Sequence, residues 1–281
     1  MSGISASEVK KLRDMTNAGM MDCKKALTES GGDFEKAVEI LRKKGQKLSV
    51  KRADREVKEG AVIAKTSHNK NKGVVIRLSC ETDFVAKGES YVAFAEKIAD
   101  IALSNLPADV DALLALPYES GLTIGEKITE QVGVIGEKLE VSSYEKIETA
   151  AGEGQVIPYI HMGNRAGVIV ALNLEGAEYE EAGRNVAMQA AAMRPLALDK
   201  DGVDASIIEK EIEIGKEQAR AEGKPEEMLE KIALGKLNKF YKENTLLNQQ
   251  YVKDGSMSVQ DYLKSVNKDL TVTDFKHVEL G

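Results

Sequence analysis

The chain has 281 residues, of which 42% are hydrophobic and 30% are charged, and its formal net charge at pH 7 is −7. This length and composition indicate a globular protein with two or three modest domains, each able to bury a core. No apolar run reaches the roughly 18 residues that suggest a membrane span, and the first residues lack the features of a secretory signal. We therefore expect a cytoplasmic protein that does not bind membranes.

The metal-binding residue types form no recognisable site. The cysteines and histidines of the chain are Cys23, Cys80, His68, His161 and His277. Their spacing matches no zinc-binding arrangement, and two cysteines alone make no disulfide framework. We expect neither a structural metal nor a cofactor.

Positive charge is concentrated near the N-terminus. Residues 1–60 carry 14 Lys and Arg against 10 Asp and Glu, which leaves −11 for the rest of the chain. The basic run from Arg42 to Lys58 has no interleaved aromatic residues, so it is more typical of a solvated helix than of an RNA-binding or acidic-protein-binding surface. We expect no direct binding of nucleic acid.

Residues 1–46 carry the start and stop signals of three short helices. Ser5 begins a capping box ahead of the first helix, which is expected to end at Asn17. Asp33 caps the third helix, and Gly45 is expected to end it. These three helices have too few residues for more than a marginal core of their own.

We interpret this N-terminal segment as a docking module, followed by a charged linker over residues 47–59. Met20 and Met21 lie at the turn between the first two helices, where methionine offers adaptable apolar contact area. Methionine also fills gaps in a core, and the sequence favours neither use over the other.

The rest of the chain contains an internal repeat. A shift of 94 positions places Gly60, Val62, Ile63, Gly73, Val74, Ile76 and Leu78 without a gap on Gly154, Val156, Ile157, Gly167, Val168, Val170 and Leu172. A fixed offset indicates a duplicated supersecondary unit, in which these are packing and turn positions. The alternating pattern predicts strands over 61–66 and 74–79 and a helix through 91–102 in the first copy, and strands over 156–161 and 168–174 and a helix over 180–193 in the second.

A second match closes each copy. A shift of 131 positions places Ile135, Leu139, Val141, Tyr144, Ile147 and Glu148 on Val266, Leu270, Val272, Phe275, Val278 and Glu279. We interpret this match as the end of a helix followed by a third strand. The larger offset implies an insertion of 37 residues in the second copy.

Residues 204–244 are the best candidate for this insertion, because their pattern gives a helix, a Gly-Lys-Pro turn and a second helix. Such a helical hairpin suits a projecting arm for a partner or for self-association, and a plain decoration of its own domain is the alternative. The predicted fold is therefore α+β. Residues 60–150 form the first core subdomain, and residues 151–203 with 245–281 form the second, each with a small antiparallel three-stranded sheet.

Residues 82–85, Thr-Asp-Phe-Val, follow the second strand of the first copy and have no counterpart in the second, which has Gly-Ala-Glu-Tyr there. Whatever Asp83 and Phe84 do, the fold does not require it twice. An aromatic residue in a short connection usually folds back on its own core, and an aspartate there is usually a turn or cap residue. The alternative is an exposed Phe84 that inserts into a pocket of another protein.

No known catalytic motif is present. The stretches Gly121 to Ile128 and Gly133 to Leu139 come nearest to a phosphate-binding loop, and both lack its Lys-Ser/Thr pair. There is no nucleophile elbow, and the paired carboxylates lie on faces that the pattern places in solvent. We therefore expect that the protein is not an enzyme.

Two motifs are specific enough to suggest a family. Residues 20–27, MMDCKKAL, and residues 82–87, TDFVAK, in this order and spacing closely resemble bacterial elongation factor Ts. The resemblance continues through Ile135-Gly136-Glu137 and the second copy to the last strand, and so covers essentially the whole chain.

The resemblance implies a guanine nucleotide exchange factor that binds elongation factor Tu in its GDP form. In that family the N-terminal helices form a ubiquitin-associated-like (UBA-like) module that docks on the GTPase domain, and the Thr82–Val85 segment enters beside the magnesium site. Phe84 would be the inserted side chain and Asp83 the polar residue that fixes it. The other partner-binding candidates are Leu12, Met20, Met21, Lys24, Ile135, Gly136, His161 and Met188.

The family also implies that the helical hairpin is a coiled-coil module through which the chain could form a homodimer. Two departures from the family pattern put contacts in doubt. Residues 249–252 read Gln-Gln-Tyr-Val where many members have Gln-Pro-Phe-Val, and Gln189 replaces a His found in some members. The competing hypotheses are a protein-binding scaffold with another partner and a nucleotide-binding enzyme.

Overall fold

The N-terminal module is a three-helix bundle in the computed structural model, which describes residues 4–281. Its helices are α1 (Ala6–Thr16), α2 (Met20–Glu29) and α3 (Phe34–Lys51). The predicted capping box is present at Ser5, and Asn17 ends α1 in the left-handed conformation at φ 55°. The buried residues of the bundle are Val9, Leu12, Ala18, Cys23, Ala26, Leu27 and Ala37.

The first unit combines a three-stranded sheet with helices on one of its faces. Its elements are β1 (Glu59–Thr66), β2 (Lys72–Cys80), α4 (Asp83–Ala86), α5 (Glu89–Asn105), α6 (Val110–Leu114), α7 (Ile124–Ile135) and β3 (Glu140–Glu148). The strands are antiparallel in the order β1-β2-β3. Helix α5 buries Tyr91, Phe94 and Ile98 against residues such as Ile76 of the sheet.

Helix α3 does not end at Gly45 as predicted, because it continues to Lys51. Gly45 lies where α3 meets α7. A Cβ atom on Gly45 would be 2.8 Å from the carbonyl oxygen of Thr129, and a Cβ on Gly133 would be 2.9 Å from Cα of Gly45. The glycine therefore permits the close approach of two helices. Since β1 begins at Glu59, the irregular connection is shorter than the predicted linker over 47–59.

The second unit repeats this plan and contains the insertion. Its elements are β4 (Gln155–Ile160), β5 (Ala166–Leu172), α8 (Glu180–Met193), α9 (Ala205–Ala221), α10 (Glu226–Asn244), β6 (Gln250–Tyr251), β7 (Asp254–Ser258), α11 (Val259–Val266) and β8 (Val272–Glu279). The main sheet has the antiparallel order β4-β5-β8, and β6 and β7 form a separate pair. The predicted α+β class with two small three-stranded sheets is confirmed.

The duplication extends to irregular details of the backbone. The pairing of β2 with β3 shifts register between Arg77 and Leu78, and that of β5 with β8 shifts between Ala171 and Leu172. These positions are related by the same offset of 94 residues. The two sheets therefore share a bulge as well as a strand order.

The two sheets pack face to face through the sides that carry no helix. Their shared buried cluster is Val62, Ala64, Val75, Ile147, Val156, Ile169, Ala171 and Val278. The equivalent glycines Gly73 and Gly167 lie in this interface. A Cβ on Gly73 would be 2.5 Å from Cγ1 of Val156, and one on Gly167 would be 2.8 Å from Cγ1 of Val62. Each copy therefore supplies a glycine that admits a valine of the other.

The insertion is the predicted helical hairpin, made of α9 and α10. A Cβ on Gly215 would be only 3.1 Å from Cα of Ala233, so small residues bring the two helices close. Leu229 and Leu237 complete the buried seam. Within residues 4–281 no helix is both long and apolar enough to span a membrane.

Candidate partner-binding site

Residues Thr82–Val85, which we call the Phe84 corner, lead from β2 into the helical layer. They do not form an irregular connection, because residues Asp83–Ala86 are the one-turn helix α4. Thr82 is its N-cap, and the Thr82 hydroxyl accepts a hydrogen bond from the Val85 amide at 3.4 Å. The Phe84 side chain is 86% exposed. The usual arrangement, in which such a ring folds back on its own core, is therefore wrong for Phe84.

The Phe84 corner is held on the side that faces the core of the first unit. Val85 and Ala86 pack against the core of the first unit. The Cys80 thiol donates to the Thr82 carbonyl oxygen at 3.2 Å, and burial raises the pKa of this thiol to about 11. The Tyr91 hydroxyl donates to the Leu78 carbonyl at 2.7 Å. The residues around Phe84 are thus fixed to the core, while the Phe84 side chain extends away from it.

Glu137 connects this corner to the start of β3. Its Oε2 atom accepts from the amides of Glu81 and Thr82 at 3.1 and 3.0 Å, and its Oε1 atom accepts from the Thr82 hydroxyl at 2.7 Å. Hydrogen bonds to an ionised carboxylate are among the stronger ones in proteins. The Thr82 hydroxyl donates to Glu137 and accepts from the Val85 amide, so the two contacts orient each other.

Glu81 connects the corner to the N-terminal module. One guanidinium nitrogen of Arg52 lies 2.7 and 2.8 Å from the two Glu81 oxygens, and the Lys138 amide donates to Oε1 at 2.6 Å. Burial raises the pKa of the Glu81 carboxyl, but the bonds from Lys138 and Arg52 outweigh burial and leave that pKa below its ordinary value. The Lys138 ammonium also donates to the carbonyls of Ala53 and Arg55 at 2.9 and 3.2 Å.

Asp83 does not hold the Phe84 ring. It forms an ion pair with Lys87 at 2.6 Å, one turn along the chain, and both side chains are exposed. The hydrogen bond from Lys87 lowers the pKa of the Asp83 carboxyl. An exposed pair of this kind contributes little to stability. The side chain that bonds to the corner is that of Glu137, which the sequence shows only as the third residue of the Ile135-Gly136-Glu137 motif.

Ile135 and Gly136 lie directly before Glu137 at the end of α7. Gly136 is the left-handed C-cap at φ 84°, and Ile135 packs partly against the core of the first unit. The structure therefore places these two candidates beside the Phe84 corner. A cleft of about 550 Å³ next to Ile135 also borders Asn17, Tyr91 and Gln131, so it extends from the first unit to the turn between α1 and α2.

The turn between α1 and α2 carries an exposed apolar surface. Met20 is 46% exposed and Met21 is 66% exposed, so neither is core filler. Lys24 is also exposed. Leu12 is fully buried in the helical bundle, which corrects the expectation that its side chain contacts a partner directly. Met15 on α1 is also 59% exposed, but no motif identifies it from the sequence.

Comparison with known proteins decides the family. The model of the family "Elongation factor TS" matches residues 81–281. Proteins named elongation factor Ts are 56% identical in Cytophaga hutchinsonii and 53% identical in Flavobacterium psychrophilum, with all of both chains covered. Another, from Porphyromonas gingivalis, is 46% identical and covers 99% of this chain and 98% of its own.

The chain belongs to the elongation factor Ts family. This confirms the family suggested by residues 20–27 and 82–87. Membership supports the role of a nucleotide exchange factor in translation.

The remaining candidates of this elongation factor Ts chain lie in the second unit. His161 is exposed at the turn between β4 and β5, and its Nδ1 atom is 3.1 Å from the Tyr159 hydroxyl. Met162, next to it, is 85% exposed. Met188 is only partly exposed on α8. The geometry thus places His161 beside an exposed methionine that the sequence did not single out.

The two departures from the elongation factor Ts pattern fit each other. Gln189 is fully buried, and its amide nitrogen donates to the Gln249 side chain at 3.1 Å and to the Gln250 carbonyl at 3.0 Å. Its amide oxygen accepts from the Val252 amide at 2.8 Å. Tyr251 stacks on Tyr262 with 4.1 Å between ring centroids. Residues 249–252 are therefore held in place without a proline.

Proposed function

We propose that this chain is a guanine nucleotide exchange factor that binds elongation factor Tu in its GDP form and promotes GDP release during translation elongation. The observation that carries the proposal is the Phe84 ring, which is 86% exposed on a capped corner that the duplicated unit lacks. An aromatic side chain presented by an ordered backbone is the usual anchor of a protein interface. Family membership supports the same role.

The mechanism acts on the partner's magnesium ion. In GTPases this ion bridges the phosphate oxygens to the protein and neutralises part of their charge. When Phe84 enters beside the magnesium site, the ligands of the ion move and the bound GDP loses that compensation. No covalent bond is made or broken in this chain, so the protein is not an enzyme in the chemical sense.

Exchange also requires that the factor leaves. This chain and GDP are both ligands of elongation factor Tu, and coupling between two ligands of one protein is reciprocal. If this chain weakens GDP binding by a given ratio, GDP weakens the binding of this chain by the same ratio. Incoming nucleotide therefore releases it. The same relation predicts that a stoichiometric complex of the two proteins dissociates when GDP is added.

Two further surfaces extend the proposed contact. Met20, Met21 and Lys24 form an exposed surface on the N-terminal module, which would dock on the GTPase domain of the partner. His161 and Met188 lie in the second unit and would meet another domain of the partner. The inserted hairpin exposes Met228 and Leu234, each 45% exposed, and is the proposed surface for a homodimer.

The experiment is release of fluorescent GDP from purified elongation factor Tu, with the wild-type chain, Phe84→Ala and the control Leu196→Ala. The wild type should accelerate release. Phe84→Ala should reduce that acceleration roughly thirtyfold, the effect of removing a strong interface anchor. Leu196→Ala, which trims a side chain that is 58% exposed and lies on none of the proposed contact surfaces, should retain it.

The outcomes separate the hypotheses. If the wild type does not accelerate release and forms no complex, the chain is a scaffold for another partner. If the wild type accelerates release and Phe84→Ala is equally active, exchange stands and the role of the ring is wrong. Binding of GDP by the isolated chain in equilibrium dialysis would support a nucleotide-binding enzyme instead.

A further inference from the structure

The direction in which Phe84 points depends on one carboxylate outside the corner. All three hydrogen bonds that Glu137 accepts come from Glu81 and Thr82, the two residues that lead into α4. The Thr82 hydroxyl bonded to Glu137 is also the N-cap of α4. Since α4 is a single turn of four residues, its N-cap sets the direction of the whole helix, including Phe84.

The fold itself does not need this carboxylate. The offset of 131 residues places Glu137 on Lys268, whose side chain is 88% exposed. In the second unit the equivalent corner is closed by the side chain of Gln155, which donates to the Gly176 carbonyl at 2.9 Å and accepts from the Gly176 amide at 3.3 Å. A neutral amide therefore suffices to close the same turn where no Phe is presented.

We propose that Glu137 is a positioning residue for nucleotide exchange, and that it fixes the orientation from which Phe84 enters the partner. This inference rests on the proposed function of Phe84. Glu137 acts through Thr82, and an ordered corner binds without the loss of conformational freedom that a mobile segment would suffer. Misplacement of an inserted group by a fraction of its own size strongly reduces the effect of its insertion.

The test measures GDP release from elongation factor Tu at increasing concentrations of the factor, so that the maximal rate and the half-saturating concentration are separated. Glu137→Ala should lower the maximal rate roughly tenfold, because Phe84 is no longer held in position. The half-saturating concentration should change by less than about threefold, since the Met20 and Met21 surface remains. A purely structural role would not separate the two quantities.

Two variants complete the series. Glu137→Gln keeps one oxygen that accepts the two amide bonds and loses the acceptor of the Thr82 hydroxyl, so its maximal rate should lie between those of the wild type and Glu137→Ala. Glu145→Ala removes the same charge from an exposed position of β3 and should behave as the wild type. Equal maximal rates for all three variants and the wild type would overturn the inference.

A double variant distinguishes this inference from the proposed function. If Glu137 acts only by positioning Phe84, Phe84→Ala with Glu137→Ala should be no slower than Phe84→Ala alone. Additive losses would overturn the positioning role. If Phe84→Ala itself has no effect, the proposed function of the ring fails; if Phe84→Ala slows release and Glu137→Ala does not, only the role of Glu137 fails. Amide hydrogen exchange at Thr82 and Val85 should become faster in Glu137→Ala and stay unchanged in Glu145→Ala.

Discussion

The ion pair between Arg52 and Glu81 joins the end of α3 to the residue before the Phe84 corner, and its strength follows from its geometry. The closest distance is 2.7 Å, and the two side chains are 30% and 17% exposed. Exposed ion pairs contribute about 0–1 kcal/mol, and hydrogen bonds to charged groups about 1.5–3 kcal/mol. Because this pair is partly shielded from solvent, we expect a coupling free energy of about 1–2 kcal/mol.

A double-mutant cycle measures this coupling. The variants are Arg52→Met, Glu81→Gln and the double variant, and the quantity is the free energy of unfolding in urea. Glu81→Gln should cost more than Arg52→Met, because one of the two oxygens that face the Arg52 guanidinium becomes an NH2 donor and the bond from the Lys138 amide at 2.6 Å loses its charge. The matched control is the pair between Glu39 and Lys43 on α3, which has a 2.8 Å contact and is 61% and 64% exposed. Its coupling should be clearly smaller, because solvent screens both of its charges.

The pH dependence gives an independent check with a definite sign. The pKa of Glu81 is lower in the folded protein than its ordinary value of 4.5. Its stabilising contribution is therefore complete above that value and is lost as the pH falls through the folded pKa. The difference in stability between the wild type and Glu81→Gln should shrink between about pH 7 and about pH 3. A coupling below about 0.3 kcal/mol, the scatter of independent sites, or a difference that does not change with pH would refute the reasoning.

Two other predictions concern the duplicated units. Gly60→Ala and Gly154→Ala should each lower the free energy of unfolding by about 3 kcal/mol or more, because φ is 152° and 130° and a Cβ would lie 2.2 and 1.9 Å from a carbonyl oxygen. The control Gly235→Ala adds a methyl group to α10 where there is open space, so it should raise the free energy of unfolding by about 0.5–1 kcal/mol. Equal urea midpoints for the three variants would contradict these expectations. Burial lowers the pKa of His277 below 6.5. The folded state therefore loses stability as the pH falls below that value, because the unfolded chain binds the proton more readily. Between about pH 8 and about pH 5, the melting temperature of His277→Phe should fall by less than that of the wild type. An equal fall in both proteins would contradict this effect of His277.

The repeat made most of the fold predictable from the sequence. Apolar positions that recur at an offset of 94 residues identified both hairpins, and the offset of 131 residues identified the third strand of each sheet. These features depend on local periodicity, which the sequence carries directly. The insertion followed because a Gly-Lys-Pro turn separates two helical patterns, and the structure places α9 and α10 on either side of it.

The errors all concern contacts between elements that are distant in sequence. Gly45 has the sequence signal of a helix end, but α7 approaches it so closely that a side chain would not fit. The family resemblance implies that Leu12 contacts a partner, whereas the helical bundle covers its side chain completely. The sequence does not show that Glu137 contacts the Phe84 corner, because Glu137 and Thr82 are 55 residues apart in the chain. Local pattern does not specify which helix crosses a glycine or which carboxylate reaches a corner.

The two copies of the unit separate the determinants of folding from those of binding. The apolar positions matched at the offset of 94 residues are buried in the two unit cores or in the interface between the sheets. Phe84 lies outside all of these clusters, and most of its ring already faces water in the free protein. Removing the ring therefore takes away little buried apolar surface, and the free energy of unfolding should change little. A change in GDP release caused by Phe84→Ala consequently reports on contact with the partner. Gly60→Ala would instead alter both stability and GDP release, because Gly60 packs against Leu78 and Ser79, the strand residues that lead to the Phe84 corner.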